Sequence, residues 1–137
     1  MKTRIIVSAV IEKNGKLLFG QKKADVGPYP NTWHLIGGGV KADESLKNAL
    51  IREIKEETNI KVEITSSLGF DEDYEPNKHG EMTHYIFLTF KTKYISGKVK
   101  PDDDIAELKW ISKDKLSQIN LTRPSIKLFK EMGYLNS

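Results

Sequence analysis

Gly38-Gly39-Val40-Lys41-Ala42-Asp43-Glu44-Ser45-Leu46-Lys47-Asn48-Ala49-Leu50-Ile51-Arg52-Glu53-Ile54-Lys55-Glu56-Glu57-Thr58-Asn59-Ile60 places carboxylates where a packed helix should carry apolar side chains. At ~100° per residue, Leu46, Ala49, Leu50 and Ile54 form one stripe, Glu53 and Glu57 fall within it, and Glu56 lies on its edge. Inward carboxylates on one turn repel each other and lose hydration, so a fold keeps them only beside a neutralising positive charge. The obvious neutraliser is a divalent cation, because grouped carboxylate oxygens suit Mg²⁺ or Mn²⁺. The bland alternative for each glutamate is a salt bridge to Lys47, Arg52 or Lys55. That explains one such residue better than three on one arc.

The same stretch carries a longer pattern: Gly38, five residues, Glu44, seven residues, Arg52-Glu53-Ile54, one residue, Glu56-Glu57, one residue, Asn59-Ile60. It resembles the box of the Nudix hydrolases, G-x5-E-x7-R-E-U-x-E-E-x-G-U, with U a bulky aliphatic residue. Every specified position matches except the second glycine, here Asn59. The departure is mild, since a residue just past a helix often adopts the left-handed conformation and asparagine tolerates it next best.

Outside the box, 137 residues are enough for one domain with a real core. A 38% hydrophobic and 30% charged composition is that of a soluble globular protein. The net charge of +3, from 22 basic against 19 acidic residues, is too weak to demand nucleic acid, and a small nucleotide accounts for it equally well. With no cysteine, disulfides, zinc–thiolate sites and cysteine nucleophiles are excluded. The apolar run Ile5 to Ile11 is too short to span a bilayer and no small-residue cleavage site follows it, so a cytoplasmic protein with no membrane partner is expected, as monomer or homodimer.

Asn14-Gly15 between two apolar runs predicts an opening β-hairpin. Lys22 to Asn31 reads as a loop through Gly27, Pro28 and Pro30, and Trp33 to Ile36 as a short strand entering Gly37-Gly38-Gly39. Asp43 is the expected N-cap of a helix from about Glu44 to Thr58. Lys61 to Leu68 alternates like a strand, Asp71 to Met82 reads as a polar loop, and Thr83 to Phe90 is the strongest strand by β-branched and aromatic content. A turn at Ser96-Gly97, a strand ending at Glu107 to Ile111, a capped turn from Ser112 to Leu116 and a final helix opened by Thr122-Arg123-Pro124 and closed by Gly133 complete the chain. These elements make an α/β fold with a mixed sheet. The resemblance implies the family's α/β/α sandwich over nearly the whole chain.

The glycine triplet allows close approach of backbone to a ligand, and the following helix offers its N-terminal end to an anion. By resemblance, the carbonyl of Gly38 or a neighbour joins the glutamates as a metal ligand. Glu56 and Glu57 are the first candidates for metal ligands, and Glu53 for a ligand or for the group that orients or deprotonates the attacking water. Arg52 is a candidate catalytic residue, though its angle beside Glu56 favours a bridge that holds the carboxylates. A helix-start carboxylate such as Glu44 is favourable through the dipole alone, and the resemblance adds metal or water positioning. Similar proteins reach the site with an acidic residue like Asp104, six residues before Trp110, with Asp102, Asp103, Glu107 or a merely solvated loop as alternatives. His84 suits phosphate or metal binding, or is an ordinary strand histidine. Tyr29 and Trp33, with Tyr74, Tyr85 and Phe87, could receive a base or belong to the core. Arg4, Lys22 and Lys23 could meet phosphates.

The resemblance implies Mg²⁺-dependent hydrolysis of a nucleoside diphosphate linked to another group. The stretches 29–40 and 119–133 resemble bacterial nucleoside triphosphatases that prefer pyrimidine deoxynucleotides. Thr83-His84-Tyr85 and Asp104 to Trp110 are similar to GDP-mannose mannosyl hydrolases, whose boxes usually lack a glutamate that this chain keeps. Triphosphate hydrolysis to monophosphate and pyrophosphate is therefore favoured over nucleotide-sugar or ADP-ribose hydrolysis. A non-catalytic nucleotide sensor would not need the intact glutamates.

Overall fold

Asn14 and Gly15 take φ of 52° and 76°, the pair of left-handed residues that a tight hairpin needs, and they join β1 (Lys2–Lys13) to β2 (Lys16–Lys22). The computed structural model describes residues 1–23, 29, 31–102 and 105–136. β3 (Ile36–Gly39), α1 (Leu46–Thr58), β4 (Lys61–Pro76), β5 (Met82–Ser96) and β6 (Ile105–Ser112) follow, then a 3₁₀ helix (Lys113–Gln118) and α2 (Arg123–Glu131). The strands form one mixed sheet in the order β4-β5-β1-β2-β6 with β3 paired to β1. β1 and β5 run parallel and the other pairs are antiparallel.

Strand alternation divides the core in two. Val7, Ala9 and Ile11 pack with Ala49, Leu50 and Ile54 of α1, while Val10, Leu17 and Phe19 pack with Leu116, Leu121 and Phe129 below α2. Helices therefore cover both faces, as the sandwich requires. Among the described residues no helix is long and apolar enough to cross a membrane.

Four local expectations are corrected. The strand expected at Trp33–Ile36 is only a pair of isolated bridges at Trp33 and His34, and the ladder begins at Ile36 and runs through the glycines. A Cβ on Gly37 would strike the Val7 carbonyl, so β3 lies against β1 at a distance only glycine permits. The N-cap is Ser45, not Asp43: its Oγ accepts from the Asn48 amide at 3.1 Å, and the helix starts at Leu46, after Glu44. Leu46 stays 39% exposed on that first turn, so the buried stripe begins at Ala49. Asp71 to Pro76 is strand rather than loop, because β4 pairs with β5 to its end through register shifts at three points. Only residues 77–81 turn, with Asn77 Oδ1 accepting from the His79 and Glu81 amides.

Candidate active site

α1 ends as its sequence dictates. Thr58 donates to the Ile54 carbonyl at 2.6 Å, Asn59 takes φ 64°, and the Asn59 amide donates to the Lys55 carbonyl. The helix thus delivers Glu53 and Glu57, one turn apart, to the backbone of β3. Glu57 is 5% exposed and its Oε1 accepts from the Gly37 amide at 3.2 Å. The Glu53 carboxylate occupies the space where a Gly38 side chain would stand.

Arg52 organises the acidic turn. Its Nε and Nη2 donate to the two oxygens of Glu44 at 2.9 and 2.6 Å, and Nη1 donates to Glu53 at 2.9 Å and Glu56 at 3.2 Å. Nη2 also donates to the Gly39 carbonyl at 3.1 Å, which ties the helix to β3. Hydrogen bonding to Arg52, then to the Lys41 amide, lowers the Glu44 pKa to about 2. The Arg52 guanidinium is held protonated chiefly by Glu44.

A cavity of about 490 Å³ opens beside this turn. Glu53, Glu57 and the three β3 glycines line it together with Arg4 and Lys22, and the Arg4 guanidinium lies against Gly39. The sheet supplies Ile6, Ser8, Tyr85, Phe87 and Thr89, and Tyr29 and Leu35 complete an apolar wall. The Tyr29 and Phe87 rings stand 6.4 Å apart, and Phe87 stacks on Tyr85 at 6.1 Å. Phe70, 80% exposed, stands at the rim.

The structure thus brings Gly38, Glu53, Glu57, Arg4, Lys22 and Tyr29 together. Glu56 is held by Arg52 outside the cavity lining, with a side chain 46% exposed. Trp33 packs on the α2-side core, with its amide donating to the Asn120 carbonyl. His84 alternates with Tyr85 along β5 and so faces away from the cavity, where it stacks on Tyr74 at 4.5 Å and meets Glu72 at 2.8 Å. Asp104 lies outside the described residues, as do Gly27, Pro28 and Pro30 of the expected loop.

Among the described residues no three acidic or histidine side chains converge as a complete metal cage. The donor set still fits Mg²⁺, which keeps several waters and takes one or two carboxylates plus substrate phosphates rather than an all-protein cage. Glu53 and Glu57 supply hard carboxylate oxygens to the cavity lining.

Two features in and beside the cavity were missed from sequence. His34 donates from Nδ1 to the Leu35 carbonyl at 2.9 Å, which leaves Nε2 a buried acceptor without a partner among the described residues. Burial, then the nearby Lys22 charge, lowers its pKa to about 4. Arg123 at the start of α2 reaches Asp71 and Asp73 of β4, contacts hidden by reading residues 71–76 as a loop.

A NUDIX-domain family model matches residues 1–132. The chain is 28% identical over 141 residues to the nucleoside triphosphatase NudI of Enterobacter sp. (strain 638), covering 98% of this chain and all of that protein. Its fold is similar to a MutT NUDIX hydrolase from Burkholderia pseudomallei, with a TM-score of 0.80, 26% identity and coverage of 95% of this chain and 98% of that one. It is also similar to a MutT protein from Methanosarcina mazei Go1, with a TM-score of 0.84, 26% identity and coverage of 96% and 94%.

Proposed function

The chain belongs to the NUDIX family, and on that premise we propose that this hydrolase of phosphoanhydride bonds converts a nucleoside triphosphate to the monophosphate and pyrophosphate with Mg²⁺ bound. Pyrimidine deoxynucleoside triphosphates are the first substrates to try, on the similarity of stretches 29–40 and 119–133 to the triphosphatases that prefer them. The observation that carries the reading is one cavity lined by the Glu53 and Glu57 carboxylates, by the basic Arg4 and Lys22, and by an aromatic wall of Tyr29, Tyr85 and Phe87. Phosphates need the charged side chains, a base needs the wall.

Glu53, Glu57 and the carbonyl of Gly38 or a neighbour would hold the metal, with Glu56 recruited from Arg52 as a further ligand. The bound cation would neutralise charge that develops on the phosphoryl oxygens. Arg4 and Lys22 draw the polyphosphate into the same cavity. Glu53, oriented by Arg52, accepts a proton from the attacking water. The water oxygen bonds to the α- or the β-phosphorus as the anhydride P–O bond between them breaks, and pyrophosphate or the monophosphate, respectively, leaves. Arg52 and Glu44 position that carboxylate.

Attack at a sugar carbon would need a base such as His84, and His84 faces the other side of the sheet. The test is a hydrolysis screen with Mg²⁺ or Mn²⁺ over nucleoside triphosphates, ADP-ribose and nucleotide sugars, with products formed in ¹⁸O-water weighed by mass spectrometry. Label in the monophosphate or the pyrophosphate supports attack at phosphorus. Label on a released sugar, with none on the nucleoside diphosphate, would overturn it. Absence of turnover with every nucleotide would favour a sensor.

A further inference from the structure

Tyr29 holds φ 58°, a conformation a tyrosine keeps only where its surroundings impose it. Three contacts do so. Thr32 Oγ1 donates to the Tyr29 carbonyl at 2.6 Å, the Tyr29 hydroxyl donates to Asp73 Oδ2 at 2.7 Å, and the ring lies beside Phe87. Asp73 is itself fixed: Arg123 Nε donates to the same Oδ2 at 2.8 Å, and the Tyr74 amide donates to Oδ1 at 3.1 Å. Arg123 in turn donates from Nη2 to Asp71 Oδ2 at 3.2 Å and to the Glu72 carbonyl at 2.9 Å. A chain of bonds therefore runs from α2 through the edge strand β4 to an aromatic ring in the cavity wall. Burial and then Asp73 keep the Tyr29 hydroxyl protonated well above the ordinary tyrosine range, so it remains a donor. Burial of Asp73 opposes its ionisation, but Arg123 and Tyr29 outweigh it and hold the carboxyl below its usual range.

Given that the cavity takes a nucleotide, we propose that Asp73 and Arg123 are positioning residues for the nucleobase, holding Tyr29 against Phe87 as the wall on which the base rests. Neither residue touches the phosphates or the reacting atoms. The polyphosphate is served by Glu53, Glu57, Arg4 and Lys22. Loosening the clasp should therefore weaken recognition of the nucleoside and leave recognition of phosphate alone.

The test compares D73N, R123Q, R123K and Y29F with the wild type. KM for the best nucleoside triphosphate should rise about tenfold in D73N, R123Q and Y29F, with kcat changed less than threefold and the inhibition constant of inorganic pyrophosphate unmoved. R123K, which keeps the charge but loses the fork, should fall between. Y29F combined with D73N should be no worse than D73N alone, since Asp73 is the partner of the hydroxyl that Y29F removes. An NMR contact between the Tyr29 and Phe87 rings should be present in the wild type and lost in D73N. An unchanged KM in folded D73N would overturn the proposal. So would a parallel rise in the pyrophosphate constant, which marks a general loss of structure. If the wild type hydrolyses no triphosphate, the assigned reaction falls, and the ring contact together with nucleoside monophosphate binding by wild type and D73N still decides the clasp. Loss of both in D73N sustains it, and monophosphate binding equal in the two, or absent from both, refutes it.

Discussion

Neighbouring glycines of β3 should answer the same substitution in opposite ways. A Cβ at Gly38 would overlap the Glu53 carboxylate, with Oε1 at 2.7 Å and the other atoms closer, where 3.4 Å begins ordinary contact. Gly38 is not among the positive-φ residues, so alanine fits its backbone and the carboxylate must retreat by roughly 1 Å. A displacement of that size at a reacting group costs on the order of 10²-fold in rate, or ~2.7 kcal/mol of barrier. Stability should barely move, because the group displaced is the end of a flexible side chain. Its partly exposed bond to Arg52 contributes under ~1 kcal/mol, and replacing glycine gains back ~0.4–1 kcal/mol from the unfolded chain. Gly37 differs: its Cβ would meet the Val7 carbonyl, Ser8 Cα at 2.7 Å and Val7 C at 2.9 Å, all backbone of β1. That strand cannot yield, and G37A should lose ~3 kcal/mol and about 6–12 °C in Tm. Thermal unfolding and kcat at saturating Mg²⁺ with the substrate found in the screen check both variants. A G38A enzyme with kcat within twofold of wild type would refute the claim that catalysis depends on where Glu53 stands. An unfolded G38A would refute the geometry itself.

Asn59→Gly should be nearly neutral, within ~0.5 kcal/mol by urea unfolding, because relief of the left-handed φ is offset by loss of the Nδ2 bond to the Lys98 carbonyl and of the Lys55 contact to Oδ1. A gain or loss above ~1 kcal/mol would show that one of the two terms is misjudged. His34 has a folded pKa of about 4 against 6.5 unfolded, so the unfolded chain binds more protons and stability falls as pH drops from ~6.5 towards ~4, by up to ~3 kcal/mol. H34L should flatten that slope in urea titrations between pH 4 and 7, and identical slopes would sink the assignment. E57Q should lower kcat by at least ~10²-fold and more than E56Q, since Glu57 lines the cavity and Glu56 faces out on Arg52. The reverse order in steady-state kinetics would contradict the placement.

The parts legible in the sequence are those where local chemistry and tertiary packing agree. Asn14-Gly15 forces a hairpin wherever it stands between apolar runs. The Glu53 and Glu57 positions followed from helical angle alone, because Ala49, Leu50 and Ile54 fix which side faces in. Residues 71–76 were lost because their acidic alternation, Asp71, Asp73 and Glu75 against Glu72 and Tyr74, looks solvated until β5 supplies a partner and Arg123 supplies the charge. Single-residue composition favoured a loop there, and period 2 was the signal to weigh instead. His84 was promoted by chemistry without a face assigned to it, and one step of alternation from Tyr85 would have put it on the far side. His34 carried no signal, because only the fold reveals that its outer nitrogen has no partner among the described residues.

The inward carboxylates demanded a neutralising charge, and the structure supplies one that is not a metal. Arg52 engages Glu44, Glu53 and Glu56, while Glu57 takes the Gly37 amide. The acidic turn thus carries its own counter-ion, and the fold should not depend on a cation as a structural zinc domain does. Chelation should leave cooperative unfolding intact. For a site of millimolar affinity, 10 mM Mg²⁺ adds only ~1.4 kcal/mol, or roughly 3–6 °C in Tm. Removing the guanidinium should reverse this. R52M leaves Glu44, Glu53 and Glu56 without their shared cation, so its Tm in chelator should fall well below wild type, and added Mg²⁺ should restore a larger part of it than wild type ever gains. The measurement is Tm against Mg²⁺ concentration for both proteins, with no turnover needed. A wild type that loses more than ~10 °C in chelator, or an R52M whose response to Mg²⁺ equals that of wild type, would show that Arg52 is not what holds the carboxylates together.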